Sequence, residues 1–256
     1  MAVPQPFRVL SILLIMSSIA ACTLPGGTAD SPKAAATSTQ PAPQTVGQCS
    51  NPLQPVIVGA AWTYAISGIT TGTFTRSITD VRADGFTDQT THQGGAATTT
   101  EWKCEAGALT ALSPAEGLSA LFQTEGLNFG LQTTSASGVT IPAIVRPNDS
   151  WSQSFTIEGT QPVAGQEAQG KGDFTYVCTA GDSETVIVPA GPFDAVRVGC
   201  QINGTITVTV AGLEVPTEIA SAATIWYARD VGMVKTENEI TSIGHSTIEL
   251  TAYTIQ

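Results

Sequence analysis

From Val196 to Val210 the chain alternates strictly: every even position is apolar or glycine, and the odd positions are mostly polar. A period of two sets one face of a strand against a core and the other in water, and no helix tolerates that pattern. The same alternation recurs at Trp62, Tyr64 and Ile66, at Trp151, Phe155 and Ile157, and at Phe174, Tyr176 and Cys178. The run STIELTAYTI near the end of the sequence is equally β-rich, and PAGP, ADG and GDS between such runs have turn chemistry. No long amphipathic helix is written anywhere, and only 115–137 resists reading, as a short helix and loop. The expected fold is all-β: a single antiparallel, strongly curved sheet or open half-barrel of about 8–10 strands with that one irregular insertion.

The first 48 residues do not belong to this pattern. Arg8 precedes an apolar run from Val9 to Ile19, and Ile19-Ala20-Ala21-Cys22 follows. A charged start, a short apolar region and small residues before a cleavage point form an export signal over 1–21, too short to span a bilayer comfortably. The last four residues resemble the bacterial lipobox, which implies acylation of Cys22 by groups such as palmitate. Residues 22–48 are rich in Pro, Ala, Thr, Ser and Gly and lack apolar periodicity, so they read as a disordered tether of roughly 30 Å average span. Residues 49–256 then form one β domain. The expected location is extracytoplasmic, lipid-anchored to a cell membrane or outer membrane. Thr23 after the cysteine, in place of an aspartate, gives no inner-membrane retention mark.

Ten Lys and Arg against 21 Asp and Glu give a net charge of −11. A chain of that sign neutralises no phosphates, so nucleic acid is excluded as an expected partner. The membrane, through the lipid anchor, is the expected contact, with an apolar ligand or another envelope protein as a further one.

With Cys22 acylated, Cys49, Cys104, Cys178 and Cys200 remain, an even set in an exported chain with three possible pairings. A hairpin turning at PAGP (189–192) places Cys200 opposite a residue near Gly181, about three places short of Cys178. A bulge at Ala180-Gly181-Asp182 absorbs that offset and lets Cys178 face Cys200, leaving Cys49 to Cys104.

Three segments carry a resemblance: Gly59, Trp62 and Tyr64 in GAAWTYAISG; Glu184, Val186, Pro189, Ala190, Gly191 and Phe193 in SETVIVPAGPFDAVRV; and Trp226, Tyr227, Gly232, Val234 and Lys235 in IWYARDVGMVKTE. In order and type they resemble the TapB-like family of exported proteins, with Asp230 standing where that pattern carries glycine. The resemblance implies a β-rich open barrel, loosely similar to the folds that carry lipoproteins between membranes, and implies no activity.

Catalytic patterns are missing from the sequence. It contains no GxSxG, HExxH or Walker motif. Gly170-Lys171-Gly172 leads into a strand and not a helix N-terminus. His92 and His245, the two histidines, sit in polar surroundings and support only a weak alternative, an extracytoplasmic hydrolase. Of Asp173, Asp182, Glu184, Asp194, Glu214 and Glu218, most lie in or beside expected turns, where acids are favoured for local reasons. No cofactor is implied, and without CxxC spacing no zinc site is expected. Trp62, Tyr64, Trp151, Phe155 and Trp226 fill a β core or, in an open barrel, line a pocket. The reading is therefore a non-enzymatic exported lipoprotein that binds an apolar ligand or envelope component, or else a purely structural or interaction lipoprotein.

Overall fold

The computed structural model describes residues 49–114, 131–163, 166–240 and 244–255, all within one unit spanning Thr39–Gln256. The export signal, Cys22 and the tether lie outside the described residues, as does the 115–130 part of the irregular insertion.

Among the described residues twelve antiparallel strands form one sheet. The first five are β1 (Ala61–Gly68), β2 (Gly72–Arg82), β3 (Gly85–His92), β4 (Ala97–Glu105) and β5 (Ala108–Ala111). The remainder are β6 (Gln132–Gly138), β7 (Ser150–Val163), β8 (Gln166–Val188), β9 (Gly191–Val210), β10 (Leu213–Ala228), β11 (Gly232–Ile240) and β12 (Gly244–Thr254). Their order is β5-β4-β3-β2-β1-β12-β11-β10-β9-β8-β7-β6, so each neighbour is also a neighbour in sequence except at β1–β12. The sheet curls until its two edges approach and leaves one seam. There Leu109 and Ile141 form an isolated bridge, and Gln153 donates its side-chain amide to the carbonyl of Ala111 across 2.7 Å. Twelve strands stand where about 8–10 were expected: β5 is four residues long and β6 lies in the unreadable stretch, its QTTSASG being almost wholly polar.

The PAGP hairpin is tighter than its composition indicated. Val188 pairs with Gly191, so Pro189 and Ala190 alone make the turn. The register then shifts once, between Ala180 and Ser183, and Cys178 meets Cys200. GDS is thus a bulge inside β8 and not a turn, and the offset it absorbs is one residue instead of three. Disulfides join Cys178 to Cys200 and Cys49 to Cys104.

Directly opposed residues share a face, and the register carries one face across the sheet. Ile66, Ile248, Thr236, Ile225, Val198 and Ala180 form one row; Trp151, Cys178, Cys200, Ala223, Asn238 and Ser246 form the next. A further row, Ala136, Phe155, Phe174, Gly204 and Ile219, completes the far end. This is the inward face. Phe155 and Phe174 stack there at 5.3 Å, and a side chain at Gly204 would meet the Phe174 ring at 2.4 Å. The reverse face is mostly exposed, with Lys103, Ser154, Asp173, Gln201 and Glu237 on it.

Residues 49–58 strap one end of this barrel. The Asn51 amide donates to the carbonyls of Gly107 (2.8 Å) and Pro142 (2.9 Å), Asp230 N–H donates to Pro52 O (2.8 Å), and the Cys49–Cys104 bridge pins the start. Beneath the strap Arg76 reaches both Gln54 and the buried Asp88. Burial opposes the Arg76 charge, but Asp88 together with Tyr64 and Tyr227 outweighs it, and the guanidinium is held above its usual range.

A candidate binding pocket at the strapped end

The buried apolar residues form one large cluster and two small satellites, the usual arrangement of a domain core. The large one joins inward-facing Trp62 and Tyr64 to Trp226 and Ala195 of the other face. Partly buried inward side chains pack against these clusters: Phe74 and Ile248 against the large one, Tyr176 and Ile225 against the satellites, and Tyr227 against both the large one and a satellite.

At the strapped end this interior opens into a cavity of about 560 Å³, within the range of small-molecule sites. Its floor is the cross-strand row Ser183, Val196 and Tyr227 from β8, β9 and β10. The bulge in β8 is what brings Ser183 into that row. Leu53 from the strap and Ala143, Ile144 and Val145 from the loop between β6 and β7 form the apolar wall. Asp194 and Arg229 border it on the next step of β9 and just past β10.

Ser183, Asp194 and Arg229 are exposed at the mouth of this cavity, and Tyr227 is half-buried. Asp194 Oδ1 accepts a hydrogen bond from Thr185 Oγ1 (2.9 Å). Ser183 Oγ, the Tyr227 hydroxyl and the Arg229 guanidinium have no side-chain partner among the described residues. Burial pushes the Tyr227 phenol up to about 12, with the Arg76 charge pulling the other way. At neutral pH Tyr227 is therefore a neutral donor.

Four of the five aromatics singled out in the sequence face inward: Trp62 and Tyr64 by alternation with Ile66, and Trp151 and Phe155 in the rows above. Trp62 Nε1 donates to Val231 O (2.6 Å), and the Tyr64 hydroxyl donates to Met233 O (3.0 Å), tying β1 to the β10–β11 corner. Trp151 donates to Thr140 O (3.0 Å) and borders a second, shallower cavity of about 370 Å³ beside Ile144. Phe155 is buried against Phe174. Trp226 projects from the opposite face to Ile225 and Tyr227, donating to Glu184 Oε1 (2.5 Å) beneath the Lys235 ammonium, 5.1 Å from its ring. Its neighbour Tyr227 is the residue of that pair that lines the larger cavity. The alternation in IWYA separates the two; the walls from Leu53 and Ala143–Val145 are loop residues with no periodicity to announce them.

His92 ends β3, its ring 5.9 Å from Phe74, and His245 is exposed in β12. The two lie at the ends of different hairpins, and neither borders the 560 Å³ cavity. Among the described residues no group of three His, Cys, Asp or Glu is placed to hold a metal ion. Lys171 of the GKG run pairs with Glu158 at 3.0 Å, while Gly172 leaves room for Phe174 and Ile206.

A nearly closed antiparallel barrel, strapped at one end and with one seam, defines the class. Two solved structures are similar to it in overall fold. One is a protein described as exported, with a YmcC-like fold, from Bacteroides fragilis: TM-score 0.54, 14% identity, covering 78% of this chain and 97% of that one. The other is described as a lipoprotein, from Parabacteroides distasonis: TM-score 0.54, 16% identity, covering 80% and 99%. At these identities the likeness is one of fold. No family model matches the chain, and neither does any curated protein.

Proposed function

We propose that this chain is an exported protein, anchored outside the cytoplasm through acylated Cys22, that binds an apolar ligand inside its barrel and performs no catalysis. The observation that carries the reading is the cavity of about 560 Å³ at the strapped end, walled by Leu53, Ala143, Ile144 and Val145. Partly covered apolar side chains continue from it along the inward face. The lipobox and the tether support the location, as do solved neighbours described as exported or as a lipoprotein.

Two experiments test the two halves. Cys22→Ala should release the protein from the membrane fraction; retention there defeats the anchor. Protein purified from cells and extracted with organic solvent should yield copurified lipid by mass spectrometry. An empty extract, together with no uptake of added amphiphiles, would leave a structural or interaction lipoprotein as the better description.

A further inference from the structure

We propose that the Ser183, Tyr227 and Arg229 side of the cavity takes the carboxylate of an amphiphilic monocarboxylic acid, whose hydrocarbon part lies along Leu53, Ala143, Ile144 and Val145. The proposal deepens the ligand-binding reading and rests on it.

The donor and acceptor count decides the class. Three groups able to donate border the cavity without a side-chain partner: a serine hydroxyl, a tyrosine hydroxyl and a guanidinium. The acceptor-only group, Asp194, takes the Thr185 hydroxyl on Oδ1, and the two hydroxyls can turn to donate. A donor-rich site beside an apolar wall fits a ligand head made of acceptor oxygens. The formal charge at the border is one positive and one negative, from Arg229 and Asp194. A doubly charged phosphate head would face the Asp194 carboxylate with only one cation to offset it, whereas a single carboxylate is matched by Arg229. Guanidinium suits that partner, since its planar fork meets both carboxylate oxygens.

Position supports the assignment. Ser183 and Tyr227 lie on either side of Val196 in one cross-strand row, and Arg229 follows Tyr227 by two residues. The three donors therefore come from the β8–β10 side of the cavity, whose lining also includes Leu53 and Ala143–Val145.

The test uses the chain carrying Cys22→Ala, so that neither anchor nor detergent competes, after copurified lipid has been stripped. Dodecanoate and dodecanol share a tail and differ in the head. Equilibrium dialysis should show the acid bound at least about 10-fold more tightly than the alcohol, the size expected of a charge-assisted contact. Arg229→Gln should bring the two to parity by weakening the acid alone. Asp194→Asn, which keeps an acceptor for Thr185, should tighten dodecanoate by severalfold. Equal binding of acid and alcohol to the parent chain, or an Arg229→Gln chain that keeps its preference, overturns the head-group assignment and leaves apolar binding intact. Failure of both probes to bind overturns the ligand-binding reading with it.

Discussion

Arg76 on β2 and Asp88 on β3 form an ion pair inside the barrel that also fixes the strap. Arg76 Nε donates to Asp88 Oδ2 at 2.7 Å, and Nη1 donates to Gln54 Oε1 at 3.0 Å. Nη2 lies 2.5 Å from the same Asp88 oxygen, as a charge contact and not a second aligned hydrogen bond. Trp102 Nε1 also donates to that oxygen, at 2.9 Å. The Asp88 side chain is 3% exposed. Removing one member of such a pair strands the other charge, at a cost of about 3–5 kcal/mol. Asp88→Ala is therefore expected to lower the unfolding free energy by that amount in urea titrations. The double change Arg76→Met, Asp88→Leu should recover most of it. Equal losses for single and double variants would show that packing, not charge, holds the strap.

The two disulfides should differ in weight. Cys178–Cys200 closes a loop of 22 residues between strands already in register, and Cys49–Cys104 one of 55. The chain-entropy relation gives about 3 kcal/mol for the first and about 4 kcal/mol for the second. Serine pairs at each bridge, compared by chemical denaturation, should show the larger loss for Cys49/Cys104. Limited proteolysis should then cut first near the strap.

Asp230 sits at φ 59, in the left-handed region. Glycine adopts that conformation at no steric cost, aspartate at a small one, and a β-branched side chain at a large one. Asp230→Gly should thus raise stability by up to about 1 kcal/mol, and Asp230→Val should lower it by about 1–2 kcal/mol. Thermal melts of the two variants against the parent check the order. A stabilising valine would mean that the corner does not hold this backbone.

Alkaline pH should destabilise the fold through tyrosine. Burial pushes the Tyr176 phenol up to about 12, as it does Tyr227, and raises Tyr64 further. An unfolded phenol ionises near 10. Below pH 10 both states keep the proton, and this contribution to stability is complete. Between about 10 and 12 the unfolded chain gives up protons that the folded chain retains, so stability falls by about 1.4 kcal/mol per pH unit for each such tyrosine. Urea midpoints measured from pH 8 to 11 should drop only above about 10. Tyr176→Phe should soften the drop.

The alternation from Val196 to Val210 announces β9 because its two faces meet different surroundings. Trp62-Tyr64-Ile66 and Phe174-Tyr176-Cys178 announce β1 and β8 for the same reason. β6 has no such contrast, since Gln132–Gly138 is a polar edge with little to bury, and β5 is too short to show a period. The bulge at Gly181-Asp182 is visible as composition, but its size is not, because one residue or three would read alike until Pro189-Ala190 fixed the turn. In the pocket, Tyr227 follows from alternation with Ile225. Leu53 and Ala143–Val145 do not, because a loop residue becomes a wall only through what the strap and the seam place opposite it. Trp226 drew attention as a large aromatic, yet strand parity sends it away from the cavity.

The strand order has a kinetic consequence. β1 to β5 and β6 to β12 are two runs of hairpins, each formed by partners close in sequence. Their strand-to-strand join is the β1–β12 ladder, from Ala61 opposite Thr254 to Gly68 opposite Ser246, with the Leu109–Ile141 bridge at the seam. Contacts of such wide sequence separation are slow to form, because the loop-closure entropy must be overcome before they stabilise anything. A chain emerging amino end first would hold β1 as a bare edge until β12 appeared. Until that late joining, Trp62 and Tyr64 would lack the β11 and β12 side of their packing.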